Sequence, residues 1–412
     1  MSDMYIERDI EGNVKKWLDN REILIVRGPR QSGKTTLLKK LKEHLQKNGI
    51  AETNINYLTF EDDLARMKFE DDPKNFIQSR LREGKTFFLF DEVQYVNDAG
   101  KKLKLIFDIY ENIKIIVTGS SSFDLTTLGK YLVGRAIFFD LLPFSFSEFL
   151  QSKGENYRRE YERVRYKFGV NVLPEKQPFL EEFNTFLHEY LTYGAYPSIV
   201  LEKDTEKKKE LLKNFFITYI EKDVVVRYGM KYREKVVLVL KALSASLGNI
   251  LNYGTLTNIT GLNYVELKEI LSILEDSYVI TIVKPYYKNL LNELRKNPKI
   301  YFVDYGFRNY LMENFESVQF DHLYENFVLN RLKEYYKINY WRTAAKTEID
   351  FVLQKIDSII PLEVKTTPKT TRALRSFIQH YSSTKAIIAN LKENRKETIE
   401  KCDFLTIPFV QL

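Results

Sequence analysis

A glycine-rich run near the amino end of the chain has the composition and spacing of a phosphate-binding loop. Gly28 and Gly33 are separated by four residues, and Lys34 and Thr35 follow directly. Glycines at these places let successive backbone N–H groups point into one concavity, where they bind phosphate oxygens. The Lys34 ammonium then faces the outer phosphates, and the Thr35 hydroxyl can bind Mg2+. The predicted nucleotide-binding residues are Gly28, Pro29, Arg30, Gln31, Ser32, Gly33, Lys34, Thr35 and Thr36.

Two adjacent carboxylates, Asp91 and Glu92, form the second chemically informative group. They follow the apolar residues 87–90, which predict a strand buried on both faces of a parallel sheet. Ligands bind at the carboxyl ends of such strands, so both carboxylates are expected near the loop. Asp91 is then placed to hold Mg2+, directly or through water, and Glu92 to activate water as a general base. An exposed acidic turn after a buried strand is the alternative interpretation.

A third predicted strand, residues 114–117, ends in small hydroxyl residues, among them Thr118 and Ser120. Such side chains can orient the attacking water or detect the outer phosphate, but they are equally common in turns and helix caps. Phosphoryl transfer also needs positive charge on the transferred group. Arg135 is the candidate for that role, in its own subunit or in a neighbouring one. A solvated surface arginine is the alternative.

Near the carboxyl end of the chain, two predicted strands carry Asp350 and the pair Glu363 and Lys365. A period of two places Glu363 and Lys365 on one face of their strand, while Leu362 and Val364 face the core. Two carboxylates so placed can bind a divalent metal, and Lys365 can orient water or offset developing charge. The pattern is weak by itself, because charged and apolar residues alternate on any half-buried strand.

Local patterns supply the elements that position these groups. Residues 23–26 predict a strand leading into the loop, and the residues after the loop predict a helix that begins at the phosphates. The charged, tyrosine-rich residues 151–177 predict a solvated helix or insertion, and helical patterns at 180–225 predict a lid.

Residues 233–288 have an element order that resembles a winged helix: three helices followed by a β-rich segment. The third helix of such a domain often reads DNA. Here it carries Glu266, Glu269 and Glu275 against a single Lys268, and acidic charge repels phosphate. Packing or a subunit contact is therefore the favoured role of this helix.

The chain resembles AAA-type ATPases of bacteria and archaea. The resemblance rests on the loop, the acidic pair and further short motifs spread along nearly the whole chain. These motifs are Gly28-Pro29-Arg30 with Gly33-Lys34-Thr35-Thr36, Asp91-Glu92-Val93-Gln94, Thr118-Gly119-Ser120-Ser121, Gly134-Arg135, Leu142-Pro143-Phe144-Ser145-Phe146-Ser147-Glu148-Phe149, Gly194-Ala195-Tyr196-Pro197, Tyr219-Ile220-Glu221-Lys222-Asp223, Asp304-Tyr305-Gly306 and Glu325-Asn326. The resemblance implies an ATP-dependent module followed by a domain similar to restriction endonucleases.

Within that second resemblance, Asp350, Glu363 and Lys365 match a metal-dependent nuclease core, and Glu325 matches an extra acidic residue that some such enzymes use. The proline usual beside the first aspartate is replaced by Ile349. An active nuclease with a second Mg2+ or Mn2+ site and an inert scaffold that binds DNA or protein both remain open.

The expected fold class is α/β: a P-loop parallel-sheet ATPase domain with a helical lid, a winged-helix domain and a small α/β nuclease-like domain. The expected domains are 1–150 for the ATPase core, 151–230 for the lid or insertion, 231–290 for the winged helix and 291–412 for the nuclease-like domain.

The composition of the chain bears on the compartment in which the protein works and on the partners expected for it. The single cysteine, Cys402, excludes a disulfide framework and favours a reducing cytoplasm. No apolar stretch approaches the length that spans a bilayer, so no membrane partner is expected. A net charge of +7 permits DNA as a partner without demanding it.

Two functions follow from the sequence. The first is an ATPase with ATP and Mg2+ as cofactors, coupled to DNA processing through the nuclease-like domain. The second is a nucleotide-dependent switch in which ATP changes a protein contact or self-association. A small-molecule kinase is disfavoured by Glu92, and GTP specificity lacks a guanine-reading motif.

Overall fold

The computed structural model describes residues 5–120, 125–168, 173–225, 229–287, 296–343, 345–356 and 358–412. Ser121, the last residue of the motif Thr118-Gly119-Ser120-Ser121, lies outside these ranges. The chain divides into two compact units. They are Met1–Phe144 with Asp276–Tyr278, and Ser145–Glu275 with Val279–Leu412.

The first unit alternates strands and helices. Its elements are α1 (Glu11–Lys16), β1 (Ile23–Gly28), α2 (Lys34–Lys47), β2 (Ile55–Thr59), α3 (Asp63–Asp71), α4 (Pro73–Gln78), β3 (Thr86–Asp91), α5 (Ala99–Ile109), β4 (Ile113–Ser120), α6 (Leu125–Leu132) and β5 (Ala136–Asp140). The strands form one sheet in the order β2-β3-β4-β1-β5, and every pairing in it is parallel. The predicted parallel-sheet core is therefore confirmed.

Both faces of this sheet are covered, which explains the continuous apolar runs. Ile23 and Ile25 of β1 pack in one hydrophobic cluster with Phe88 of β3. The side chains of Leu24 and Val26, which alternate with these along β1, point to the other face of the sheet and pack in a second cluster there. A strand that is buried on both faces needs apolar residues at every position.

The strand order brings the predicted catalytic groups to one edge. β4 lies between β1, which leads into the loop, and β3, which ends at Asp91. In register, Gly28 is the partner of Ser120, and Asp91 is the partner of Thr59. The carboxyl ends of β1, β3 and β4 therefore meet, with β4 in the middle.

The second unit is helical in its first part and contains a mixed sheet in its last. Its elements are α7 (Phe146–Lys153), α8 (Glu155–Val164), α9 (Leu180–Tyr193), α10 (Pro197–Val200), α11 (Thr205–Tyr219), α12 (Arg233–Ala245), α13 (Tyr253–Thr260), α14 (Tyr264–Asp276), β6 (Ile280–Val283), β7 (Lys299–Phe302), α15 (Tyr305–Leu311), α16 (Asp321–Leu332), β8 (Lys337–Arg342), β9 (Glu348–Lys355), β10 (Ser358–Val364), α17 (Arg372–Tyr381), β11 (Lys385–Asn390), β12 (Arg395–Ile399) and β13 (Cys402–Pro408).

Six of these strands form a sheet in the order β12-β13-β11-β10-β9-β8. β10, β11 and β13 run parallel, whereas β8, β9 and β12 pair antiparallel with their neighbours. The residues after β13 turn back onto α8: the Gln411 side chain donates a hydrogen bond to the Val164 carbonyl at 2.9 Å. The Tyr161 hydroxyl donates to the Leu412 carbonyl at 3.2 Å.

The predicted order of three helices and a β segment is present as α12, α13, α14 and β6. β6 pairs antiparallel with β7 in a separate two-stranded sheet. The winged-helix assignment itself stays a prediction, because element order alone does not distinguish it from other small helical folds.

Two glycines and a buried aspartate join α9 to α15. A Cβ on Gly306 would lie 2.0 Å from the Tyr193 carbonyl oxygen, and one on Gly194 would lie 2.4 Å from Asp304 Oδ1. The Asp304 carboxylate accepts hydrogen bonds from the N–H groups of Ala195 (2.7 Å) and Phe307 (2.8 Å). Burial raises the pKa of Asp304 to about 6. These contacts explain why the motif at 194–197 needs glycine at position 194, and why the motif at 304–306 needs aspartate at position 304 and glycine at position 306.

We expect Gly306→Ala to lower the free energy of unfolding by about 1 to 3 kcal/mol, because the new methyl group would overlap backbone that cannot rotate away. Thermal unfolding of the two variants checks this. Gly254→Ala is the matched control, since its Cβ would have no contact shorter than 3.4 Å and alanine favours the helix. Equal unfolding temperatures for both variants would contradict the proposed close approach of α9 and α15.

Candidate active site

The loop between β1 and α2 has the backbone shape that anion binding requires. Gln31 has φ 60° and Gly33 has φ 96°, so the chain turns through left-handed conformations just before the helix. Gly28 is enclosed by backbone: a Cβ there would lie 2.1 Å from the Leu141 carbonyl oxygen. Any side chain at position 28 would push the loop away from the sheet.

The polar groups of this loop fit a phosphate ligand. Ser32 Oγ is buried and has no hydrogen-bond partner among the described residues. The Lys34 ammonium, also buried, donates to the carbonyls of Gly28 (3.1 Å) and Pro29 (2.8 Å). The Lys34 ammonium and the unpaired Ser32 hydroxyl, both at the N-terminus of α2, are complementary to phosphate oxygens.

The remaining predicted loop residues surround these groups at the start of α2. Pro29 is buried, Arg30, Gly33 and Thr35 are half-buried, and Gln31 and Thr36 are exposed.

Asp91 is a buried carboxylate held on both oxygens. The Tyr57 hydroxyl donates to Oδ2 at 3.1 Å, and the Thr118 hydroxyl donates a short hydrogen bond to Oδ1. Burial, followed by the charge of Asp91, raises the pKa of Tyr57, so this donor keeps its proton. Asp91 and the Thr35 hydroxyl are oxygen donors of the kind that Mg2+ prefers.

Glu92 is fixed by its backbone and by one side-chain oxygen. Its φ of 57° is unusual for a residue other than glycine, and its N–H donates to Thr118 Oγ1 at 3.1 Å. The Gln94 side-chain amide donates a short hydrogen bond to Glu92 Oε2. The carboxylate is thereby aimed rather than free to rotate.

The two hydroxyl candidates on β4 differ in what they do. Thr118 uses its single hydroxyl proton on Asp91, so in this arrangement it orients the acidic pair rather than a water molecule. Ser120, buried at the end of β4, donates its backbone N–H to Gln94 Oε1 at 3.2 Å.

For Arg135 the sequence left open a role in its own subunit, a role in a neighbouring subunit, or a solvated surface position. Its carbonyl accepts the N–H of Ile23, at the start of β1, and its guanidinium pairs with Asp108 at 2.8 Å. The loop lies at the other end of β1, about 17 Å away at the usual rise per strand residue. That distance exceeds the reach of an arginine side chain, so Arg135 does not contact its own loop. A role across a subunit contact and a surface position paired with Asp108 both stay open.

Sequence reasoning missed Arg8, which ties the loop to the rest of the unit. Its buried guanidinium donates to the carbonyls of Ser32 and Leu142, each at 2.6 Å, and lies 4.9 Å from the centre of the Phe144 ring. No pattern in the sequence indicated this role, and Tyr57 was missed for the same reason, since its partner Asp91 lies on another strand. Gln94 stands in the motif that carries the acidic pair, but no pattern indicated its contacts with Glu92 and with the N–H of Ser120.

The predicted residues of the C-terminal site also come together. The Lys365 ammonium lies 3.2 Å from Asp350 Oδ2 and 3.2 Å from Glu363 Oε2. The N–H of Val364 donates to Asp350 at 2.8 Å, and the Thr371 hydroxyl donates a short hydrogen bond to Glu363. Burial, followed by the charge of Glu325, raises the pKa of Asp350 to about 6.

Glu325 lies near Asp350 but has partners of its own. The Tyr301 hydroxyl donates to its Oε2 at 3.0 Å, and His322 Nδ1 lies 3.4 Å from its Oε1. In the part of the chain that the structure describes, no three carboxylate, histidine or cysteine side chains are arranged to hold a metal ion. The two carboxylates at Lys365 supply hard oxygen donors, which suit Mg2+ or Mn2+, but a lysine cation now bridges them.

Comparison with known proteins identifies the first unit. Residues 20–150 match the family described as an AAA domain. The loop, the acidic pair and the parallel sheet all lie within the matched residues, and together they support an AAA-type ATPase domain in this part of the chain. Residues 184–318 match the domain of unknown function DUF8612, and residues 320–410 match DUF4143.

The relatives include an uncharacterized protein of Haemophilus influenzae, 27% identical over 84% of this chain and 83% of its own length. Another is the uncharacterized protein MJ1637 of Methanocaldococcus jannaschii, 24% identical over 92% of this chain and 83% of its own length. Both alignments extend across the ATPase domain and the regions beyond it.

Among solved structures, the Aeropyrum pernix Orc1 protein in complex with DNA is 14% identical and covers 76% of this chain and 94% of its own, with a TM-score of 0.30. AMPPCP-bound DnaA from Aquifex aeolicus is 14% identical and covers 66% and 90%, also with a TM-score of 0.30. Scores this low inform neither the fold nor the function of this chain.

None of the described helices has the length and apolar character to cross a membrane.

We expect Thr118→Val to lower the turnover number of ATP hydrolysis about 10- to 100-fold, because Asp91 and the N–H of Glu92 each lose a hydrogen-bond partner. The Mg2+ concentration for half-maximal activity should rise as well. Thr118→Ser keeps the hydroxyl and should retain most activity. Steady-state hydrolysis across an Mg2+ titration measures both effects, and wild-type behaviour of the valine variant would rule out this role.

Proposed function

We propose that the first unit hydrolyses ATP with Mg2+, using Glu92 as the base and Lys34 on the outer phosphates. The observation that carries the proposal is the meeting of the loop, Asp91, Glu92 and Thr118 at one edge of the sheet. Mg2+ bound there would offset the charge that develops on the phosphates. Asp91 and Thr35 are the residues to hold it.

The roles of this chain's own groups follow from their geometry. Glu92, with one oxygen held by Gln94, takes a proton from water as that water attacks. Lys34 exchanges its loop carbonyls for phosphate oxygens, which are stronger acceptors because they are charged. The loop N–H groups bind the remaining oxygens, and their alignment with α2 adds the helix dipole.

We further propose that ATP turnover is coupled to DNA processing by the second unit. The element order α16, β8, β9, β10, α17, β11 supports a nuclease-like domain, because Asp350 and Glu363 come from adjacent strands and face one lysine. Lys369, Arg372 and Arg375, which follow these strands, are available to contact DNA phosphates. Thr371 adds a direct link from the start of α17 to Glu363.

A second function is favoured by the ion pairs of Lys365 and by the position of Arg135. Lys365 forms ion pairs with both carboxylates, so a metal ion would have to displace its ammonium. An inert nuclease-like scaffold, in a protein whose contacts or self-association change with ATP, needs no such displacement. The Arg135 position, out of reach of its own loop, also fits an ATPase that completes its site by self-association.

For the ATPase, we expect Glu92→Gln to lower the turnover number at least about 100-fold while ATP still binds, because the amide cannot accept the proton. Lys34→Ala should instead abolish tight ATP binding. Glu111→Gln, exposed near the opposite edge of the sheet, is the control and should hydrolyse normally. Phosphate release and ATP titration measure the two quantities. A wild-type rate for Glu92→Gln would remove Glu92 as the base.

For the second unit, we expect cutting of duplex, branched or single-stranded DNA with Mg2+ or Mn2+, and its loss in Asp350→Ala, because a metal ligand is removed. Gel assays with and without ATP measure cutting, and the same DNA panel is scored for stimulation of hydrolysis. Asp403→Asn on β13, three strands from β9, is the control. Cutting that survives Asp350→Ala refutes the metal site. No cutting, together with ATP-dependent assembly, favours the switch.

A further inference from the structure

Gln94 touches the hydrolysis site through both ends of its side chain. It is the middle residue of a single turn, Val93–Tyr95, directly after the acidic pair. Its Nε2 donates a short hydrogen bond to Glu92 Oε2, and its Oε1 accepts the N–H of Ser120 at 3.2 Å. The carboxamide thus connects the proposed base to the end of β4.

We propose that Gln94 is a positioning residue that fixes the Glu92 carboxylate for proton transfer. This inference rests on the proposed role of Glu92 as the base. A glutamate side chain has several rotatable bonds, and a base is effective only when its oxygen is within hydrogen-bond reach of the water. Among the described residues, Glu92 Oε1 has no hydrogen-bond partner, so one oxygen is held and the other is available.

The chemistry of an amide suits this task. A neutral amide donor orients a carboxylate without placing a positive charge beside it. A lysine or arginine in the same place would favour the charged carboxylate more strongly and so weaken it as a base. A glutamine also offers a donor and an acceptor at once. Gln94 uses the donor on Glu92 and the acceptor on the backbone.

The anchor of Gln94 is itself well fixed. Ser120 is the last residue of β4, is buried, and pairs in register with Gly28 of β1. Through Ser120, the orientation of the Glu92 carboxylate is therefore fixed relative to β1, the strand that leads into the phosphate-binding loop. The backbone of Glu92 is held by Thr118 on the same strand. Two contacts with β4 thus set the backbone and the side chain of the base.

The test replaces Gln94 by methionine, which keeps an unbranched side chain of similar length but removes donor and acceptor. We expect Gln94→Met to lower the turnover number about 10- to 100-fold, since a small misplacement of a catalytic group has an effect of this size. The dissociation constant for MgATP, measured with a fluorescent ATP analogue, should change less than about twofold. Gln78→Met, on the exposed end of α4, is the matched control.

A double-mutant cycle shows whether Gln94 acts through Glu92. In the Glu92→Gln background, single-turnover hydrolysis should change less than about twofold on adding Gln94→Met, because the base is already gone. An equal loss in both backgrounds, a wild-type turnover number for Gln94→Met, or a parallel loss of ATP affinity would each overturn the inference. If Glu92→Gln hydrolyses ATP slowly but Gln94→Met does so at the wild-type rate, only the positioning role of Gln94 is refuted. If Glu92→Gln has a wild-type turnover number, both the role of Glu92 as the base and this inference are refuted.

Discussion

Burial of the Asp91 carboxylate is the constraint on which the first unit depends. A buried carboxylate without partners is strongly unfavourable, so the strands on either side must supply donors. β2 supplies Tyr57 and β4 supplies Thr118, and each is one neighbour away from β3 in the sheet. The strand order is therefore tied to the chemistry: exchanging β4 for another neighbour would leave the acidic pair without its hydroxyl.

The same logic operates in the second unit with different donors. Asp304 is buried and is satisfied by two backbone N–H groups, one from Ala195 after α9 and one from Phe307 in the first turn of α15, where the helix dipole also favours negative charge. Asp350 is satisfied by the N–H of Val364 and by the Lys365 ammonium. Asp304 is held by backbone donors alone, whereas Asp350 also has a side-chain cation as a partner, which another cation could replace. This difference separates the structural aspartate from the candidate site.

Local patterns in the sequence predicted the groups whose geometry is set by neighbours in the chain. The loop, the strand before it and the helix after it were all found in this way, and so were Asp91 and Glu92 at the end of β3. Asp350, Glu363 and Lys365 were also brought together as expected, because strand alternation and an antiparallel pair suffice to align them.

The residues that sequence analysis missed depend on contacts between distant segments. Arg8 holds a loop that begins 20 residues later, and Tyr57 meets Asp91 only through strand pairing. The role of Arg135 was left open because β5 was not recognised: a residue directly before a parallel strand lies at the amino end of the sheet, away from the end where ligands bind. With β5 in view, the sequence would have excluded a contact with its own loop.

The position of β13 in the sheet has a consequence for how the chain is made. This late strand lies inside the sheet, between β11 and β12, and the residues after it hydrogen-bond to α8, some 250 residues earlier. The second unit therefore cannot complete its sheet until β13 has left the ribosome, whereas the strands of the first unit are all synthesised by Asp140. During synthesis the nucleotide-binding sheet can form while the edge of β11 still waits for its partner.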